Sequence, residues 1–184
     1  MDRGYTDAFF GNLSLRLGKS VLITSSGVPL DKITPQAVVW LQSEEGEGGR
    51  DSREISGEPS SEAPVHLGIY RLISEVNAVL HAHPFYCVLR SLLDDSDVVT
   101  SYTSEGAMFL PEFSFCEGEP GSQELADAVT YSMTKYHTTA VVVRGHGIFC
   151  VGRTMDEAYL RCVVAEHECK LWYYRHMVDI HGDS

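Results

Sequence analysis

Residues 139–143 read Thr-Ala-Val-Val-Val, a short apolar run rich in β-branched side chains. Such a run suits a strand buried on both faces, and a strand of that kind demands a layered fold around it. Arg144-Gly145-His146-Gly147 breaks the run, and residues 148–151 resume it as a further strand. Elsewhere residues 13–17 alternate apolar and polar side chains, as a half-buried strand does. Residues 21–24 form a second short strand that runs into the hydroxyl-rich turn Ser25-Ser26-Gly27. Thr34-Pro35 opens a brief helix, residues 38–41 form another strand, and residues 76–83 form one that stops at Pro84.

Helical spacing is confined to four stretches. Val65, Ile69 and Leu72 share one face of a helix over 63–74, and Leu67 and Ile73 widen the stripe. Residues 85–93 are helical, and Ser122 caps a helix running to 135. Thr154 and Glu157 fit a capping box that starts a helix reaching about residue 177. Residues 98–119 have strand propensity interrupted by Gly106, Pro111 and Gly118, and support no single assignment. Residues 42–58 are glycine-rich, acidic and almost free of apolar side chains, which suits an exposed hairpin tip or mobile loop. Strands outnumber helices and several are joined by short turns. The fold class that follows is α/β, with a largely antiparallel sheet and helices on its faces.

A length of 184 residues, 43% of them apolar, suits one domain spanning residues 1–184. The net charge of −12 makes nucleic acid a poor partner. An anionic substrate then needs a local pocket of backbone N–H groups, hydroxyls and metal. No stretch has the length of a membrane span, and the first residues lack the apolar core of a signal peptide. The five cysteines are odd in number, irregularly spaced and without a CxxC pair, as expected of reduced thiols in a cytoplasmic protein.

Three short motifs carry chemistry. In His81-Ala82-His83, at a strand end, side chains two apart point to one face, so two imidazoles can share one metal ion; two surface histidines are the plain alternative. His146 stands between two glycines at the end of a buried strand, where a turn histidine is the plain alternative. Pro59-Ser60-Ser61-Glu62 precedes a helix, whose free N–H groups and neighbouring hydroxyls favour an anion, although capping alone explains such a sequence. Taken together, His81, His83 and His146 offer three neutral imidazoles with a position left open. That set suits Zn2+, with Co2+ or Mn2+ as substitutes, and a nearby carboxylate can act as acid and base. His66, one turn after Glu62, reads as a packed helix histidine, with a neighbour in the site as the alternative, and His137, His167, His176 and His181 read as surface residues.

In order along the chain, Gly11-Asn12-Leu13-Ser14, Thr24-Ser25-Ser26-Gly27, Pro59-Ser60-Ser61-Glu62, His81-Ala82-His83-Pro84 and Gly145-His146-Gly147 resemble the signature of the class II aldolase and adducin family. The resemblance spans residue 11 to about residue 174. It implies a three-layer α/β/α fold around a mainly antiparallel sheet, in a homotetramer with active sites shared between subunits. It implies metal ligands His81, His83 and His146, Glu62 as acid and base, and phosphate contacts from Asn12, Ser26, Gly27, Ser60 and Ser61. Tyr102 corresponds to a tyrosine that donates a proton into a neighbouring subunit's site. The implied reaction is retro-aldol cleavage of a ketose 1-phosphate of the L-fuculose 1-phosphate kind, giving dihydroxyacetone phosphate and a short aldehyde such as lactaldehyde. Related activities in the family are a 4-epimerase acting on L-ribulose 5-phosphate, a dehydratase acting on methylthioribulose 1-phosphate, and decarboxylases. The adducin-type modules lack the metal histidines that this chain carries. The chain departs from the pattern at Phe9 and Phe10, which stand where aldolases carry small or polar residues.

Overall fold

A computed structural model describes residues 11–42 and 57–182. The segment read as an exposed acidic loop lies, for residues 43–56, outside the described residues, as do Phe9 and Phe10. Eight strands form one sheet: β1 (Asn12–Leu17), β2 (Ser20–Thr24), β3 (Val38–Gln42), β4 (Ala78–Ala82), β5 (Val98–Thr100), β6 (Glu112–Cys116), β7 (Ala140–Val143) and β8 (Gly147–Gly152). Among the described residues five α-helices accompany them: α1 (Ala63–Leu72), α2 (Phe85–Leu93), α3 (Ser104–Phe109), α4 (Gln123–Tyr136) and α5 (Met155–Gly182).

The strand order is β3-β2-β1-β4-β8-β7-β6-β5, antiparallel throughout except for β6 and β7. That parallel pair needs a crossover, and α4 supplies it. It sits beside the segment 98–119 that has no single assignment from sequence, which the structure divides into β5, α3 and β6. Phe113 and Phe115 make β6 a core strand; their burial depends on α5 and β7, far away in sequence, and no local period announces it.

The two-residue period of the strands sorts their side chains between two layers. Val79, Val141, Val143, Phe149 and Val151 pack on one face with Val65 and Ile69 of α1 and Leu125, Val129 and Met133 of α4. Leu80, Ala82, Ala140, Val142, Ile148 and Cys150 pack on the other with Cys87 of α2 and Ala158, Cys162, Ala165 and Cys169 of α5. The result is the expected three-layer α/β/α arrangement, and β7, buried at every position, is covered from both sides as its composition demands. The five cysteines are all free, and four are buried.

Helix ends follow local chemistry. Ser122 Oγ accepts the Leu125 N–H at 3.0 Å and Thr154 Oγ1 accepts that of Glu157 at 3.2 Å. The Glu157 carboxylate reaches one residue further back than a capping box requires, to the Arg153 N–H at 2.7 Å. α5 continues past the expected stop near residue 177 to Gly182. No helix among the described residues is long and apolar enough to cross a membrane.

Candidate metal centre and anion cavity

Sheet order brings the motifs to one end of the sheet. β4 lies between β1 and β8, with Asn12 opposite His81 on one side and Phe149 opposite His81 on the other. The C-terminal end of β4 therefore adjoins the first residues of β1 and the β7–β8 turn that carries His146. The next strand outward, β2, is followed directly by Ser25, which bridges to Pro59 and so draws Pro59-Ser60-Ser61-Glu62 to the same place.

The three histidine rings form a near-equilateral cluster with centroids 4.7 to 4.8 Å apart. One ring nitrogen from each lies within 4.8 Å of the others. His81 Nδ1 is 3.1 Å from the Ile148 carbonyl. A carbonyl only accepts, so Nδ1 carries the proton and the neutral ring presents its Nε2 lone pair to the cluster. His81 Nε2 and His83 Nε2 meet at 2.9 Å, a separation that a shared proton or a cation satisfies. Burial, then the neighbouring imidazoles, pushes His81 well below the ordinary histidine pKa; the same causes take His83 to about 4, and burial lowers His146. Three imidazoles kept neutral and converging in this way form a donor set suited to a divalent cation.

Glu62, the residue before α1, is only 4% exposed, and its Oε1 lies 3.9 Å from His146 Nε2. Its Oε2 and His146 Nδ1 are buried without a hydrogen-bond partner among the described residues, as groups facing a cation or a substrate would be. Burial raises the Glu62 pKa, against a lowering hydrogen bond from the backbone of Gly121. Asn12, Ser26, Gly27, Ser60 and Ser61 line the same cavity, of about 220 Å³, as Glu62 and the three histidines. Among the described residues its wall contains no lysine or arginine, so hydroxyls, amides and backbone N–H groups are the donors it offers an anion.

The local sequence explains why these side chains hold their places. A Cβ on Gly147 would stand 2.5 Å from the Ala82 carbonyl oxygen, 2.8 Å from His83 Cδ2 and 3.0 Å from His81 Cε1, so this position has room only for glycine. Arg144 anchors the turn to the end of α2, donating to the carbonyls of Ser91 at 2.9 Å, Asp94 at 2.5 Å and Ser96 at 2.8 Å, while Gly145 N–H donates to Ser91 Oγ. The Ser60 hydroxyl accepts the Glu62 N–H at 3.3 Å, so it takes part in the helix start as well as lining the cavity.

Tyr102 is not among these residues. It is half-exposed, lines a separate cavity with Arg90 and Trp172, and Arg175 lies over its ring. Its backbone is fixed by the fully buried Glu168, whose carboxylate accepts the N–H groups of Tyr102 at 2.6 Å and Thr103 at 3.2 Å and the Thr103 hydroxyl. Sequence reasoning passed over Gly121, which bonds to Glu62; His66, read as a packed helix histidine, is fully buried against Asn12 and Ser14. Its place one helical turn after Glu62, the residue that precedes α1, brings it beneath the site.

The model of the class II aldolase and adducin N-terminal domain matches residues 1–173, and the chain belongs to that family. Among its relatives is the L-fuculose phosphate aldolase of Methanococcus vannielii, 33% identical over 171 residues that cover 92% of this chain and 87% of that protein. The enzyme of the same name from Escherichia coli is 26% identical over 157 residues, covering 84% of this chain and 68% of that one. The crystal structure of L-fuculose-1-phosphate aldolase from Thermus thermophilus superposes with a TM-score of 0.80 at 26% identity, covering 97% of this chain and 89% of that one. Family and histidine cluster together define a class II aldolase with a candidate metal site.

Proposed function

We propose that the chain is a divalent-metal aldolase that cleaves a ketose 1-phosphate, such as L-fuculose 1-phosphate, to dihydroxyacetone phosphate and a short aldehyde such as lactaldehyde. The observation that carries this reading is the convergence of three neutral imidazoles beside a buried carboxylate oxygen that has no hydrogen-bond partner among the described residues. The names of its relatives point to the same substrate class. His81, His83 and His146 would hold the cation, most simply Zn2+ with Co2+ or Mn2+ as substitutes. When bound, that ion supplies a Lewis acid for the negative charge that develops as the carbon–carbon bond breaks.

The remaining work belongs to the chain. Asn12, Ser26, Gly27, Ser60 and Ser61 hold the phosphate by hydrogen bonds, which places the sugar's reacting carbons beneath Glu62. Glu62 Oε2 takes and returns the proton at C3, and burial holds its pKa nearer that task than a solvated carboxylate's would be. Tyr102, half-exposed and outside its own chain's cavity, serves the aldehyde half of the reaction in a neighbouring subunit of a homotetramer. We place this enzyme in the cytoplasm, in keeping with its free cysteines.

The test is a screen of purified, metal-loaded protein against ketose 1- and 5-phosphates, with products identified by mass and NMR. The expected result is dihydroxyacetone phosphate from a ketose 1-phosphate. Failure to cleave any 1-phosphate, with a 4-epimer accumulating from a 5-phosphate, would replace the aldolase by an epimerase.

A further inference from the structure

Beneath the cavity a chain of hydrogen bonds links α1 to β1. Tyr70 Oη lies 2.8 Å from Ser14 Oγ, Ser14 Oγ 2.6 Å from His66 Nδ1, and His66 Nε2 2.6 Å from Asn12 Oδ1. Asn12 and Ser14 alternate with Leu13 along β1, so both face α1, where His66 and Tyr70 stand one turn apart. His66 is wholly buried, Ser14 and Tyr70 nearly so, and Asn12 alone of the four lines the cavity. Sealing polar groups beneath a sheet is costly unless each is satisfied, and here each satisfies the next.

The donors and acceptors can be assigned from one end. A buried phenol must give its proton to an acceptor, and among the described residues the Tyr70 hydroxyl has Ser14 Oγ as its side-chain partner. Ser14 then donates its own proton to His66 Nδ1. A neutral imidazole with Nδ1 accepting carries its proton on Nε2, and that N–H donates to Asn12 Oδ1. Burial keeps His66 neutral, with its pKa lowered to about 3. The amide oxygen of Asn12 is thereby turned inward, and both N–H bonds of its amide are left for the cavity. Reversal of the chain would turn the carbonyl oxygen outward and present an anion with a repulsive acceptor.

We infer that His66, with Ser14 and Tyr70 behind it, is a positioning residue that fixes the Asn12 amide as a donor for the substrate's anionic group. The inference rests on the proposed anion cavity and adds what sets the polarity of that cavity. A cavity wall that has no basic side chain among the described residues depends on each neutral donor pointing the right way, and a freely flipping amide spends part of its time opposed to the anion.

The experiment uses metal-loaded protein and inorganic phosphate, with affinity read by calorimetry. His66→Leu should weaken phosphate binding about tenfold, the loss of one oriented hydrogen bond. His66→Gln, whose amide can still donate to Asn12 Oδ1, should bind within about twofold of the parent, which a merely structural role for the ring would not give. Asn12→Ala should cost about as much as His66→Leu, and the double variant no more than either. Tyr70→Phe, which keeps the ring and removes only the proton that sets the direction, should cost several-fold and serves as the second variant if His66→Leu does not fold. Unchanged affinity in His66→Leu or Tyr70→Phe, or additive losses in the double variant, would overturn the inference while leaving the cavity in place. Unchanged affinity in Asn12→Ala, with a loss in Ser60→Ala, would also overturn it and retain the cavity. A parent protein that does not bind phosphate at all would remove both.

Discussion

Gly147→Ala tests whether the geometry of the histidine cluster depends on the space between β4 and β8. The added methyl would meet three groups at once, of which the Ala82 carbonyl oxygen at 2.5 Å is the hardest to move because it belongs to the ladder. Ordinary contact for a carbon atom begins near 3.5 Å, so the strand or the rings must give by roughly an ångström. Overpacking of this kind costs about 1–3 kcal/mol, which for a protein of this size lowers Tm by about 2–4 °C per kcal/mol. The rings of His81 and His83, at 3.0 and 2.8 Å, are pushed apart in the same movement. Ligand nitrogens held about 2.0–2.1 Å from Zn2+ do not tolerate such a shift, and metal affinity should fall by at least about tenfold. Gly18→Ala is the control. Its φ of 63° makes alanine strained by about 1–2 kcal/mol, yet nothing lies within 4 Å of the new methyl. It should lose comparable stability and keep the metal. Zn2+ titration in competition with a chelator, alongside thermal melts of the metal-free proteins, separates the two effects. Parent-like metal affinity in Gly147→Ala would refute the claim that this glycine makes room for the site.

Other perturbations address the site directly. His81→Ala, His83→Ala and His146→Ala should each remove most of the bound metal, and elemental analysis showing parent-level content in all three would dismiss the ligand set. Glu62→Gln should keep metal and fold but lose proton exchange at C3 of dihydroxyacetone phosphate, followed by NMR in deuterium oxide; Tyr102→Phe should slow cleavage while that exchange survives. Equal loss of exchange in both variants would show that the two roles are not divided. His66 should make the fold acid-sensitive. Its pKa in the folded protein, about 3, lies below the value of about 6.5 in an unfolded chain, so the unfolded state binds more protons as the pH falls below 6.5. Stability carried by the neutral ring is complete above pH 6.5 and declines by up to about 1.4 kcal/mol per pH unit on acidification towards pH 3. Urea titrations across that range should show a shallower decline in His66→Gln, and identical slopes would refute the assignment.

Much of this arrangement is local in origin and was readable in the residues. Alternation in 13–17, the β-branched run at 139–143 and the caps at Ser122 and Thr154 report the conformation of their own few residues, because period and cap chemistry act over one or two turns. The motifs around Asn12, Ser60, His81 and His146 likewise named the side chains that line the cavity. Their meeting is another matter. Nothing local says that β4 pairs with both β1 and β8, yet that pairing alone brings His81 to Asn12 and to the turn of His146. Strand partners are chosen by which buried faces fit, a property of distant segments taken together. For the same reason β6 became a core strand only once β7 and α5 lay beside it, Tyr102 was set apart from its own chain's cavity by the grip of Glu168, and Gly147 gained its steric necessity only from the rings across the ladder. The part played by His66 is of this kind as well. Its sequence position allowed a packed helix histidine, and the tertiary structure made it one, but only the partners at its two nitrogens determine which way its proton points.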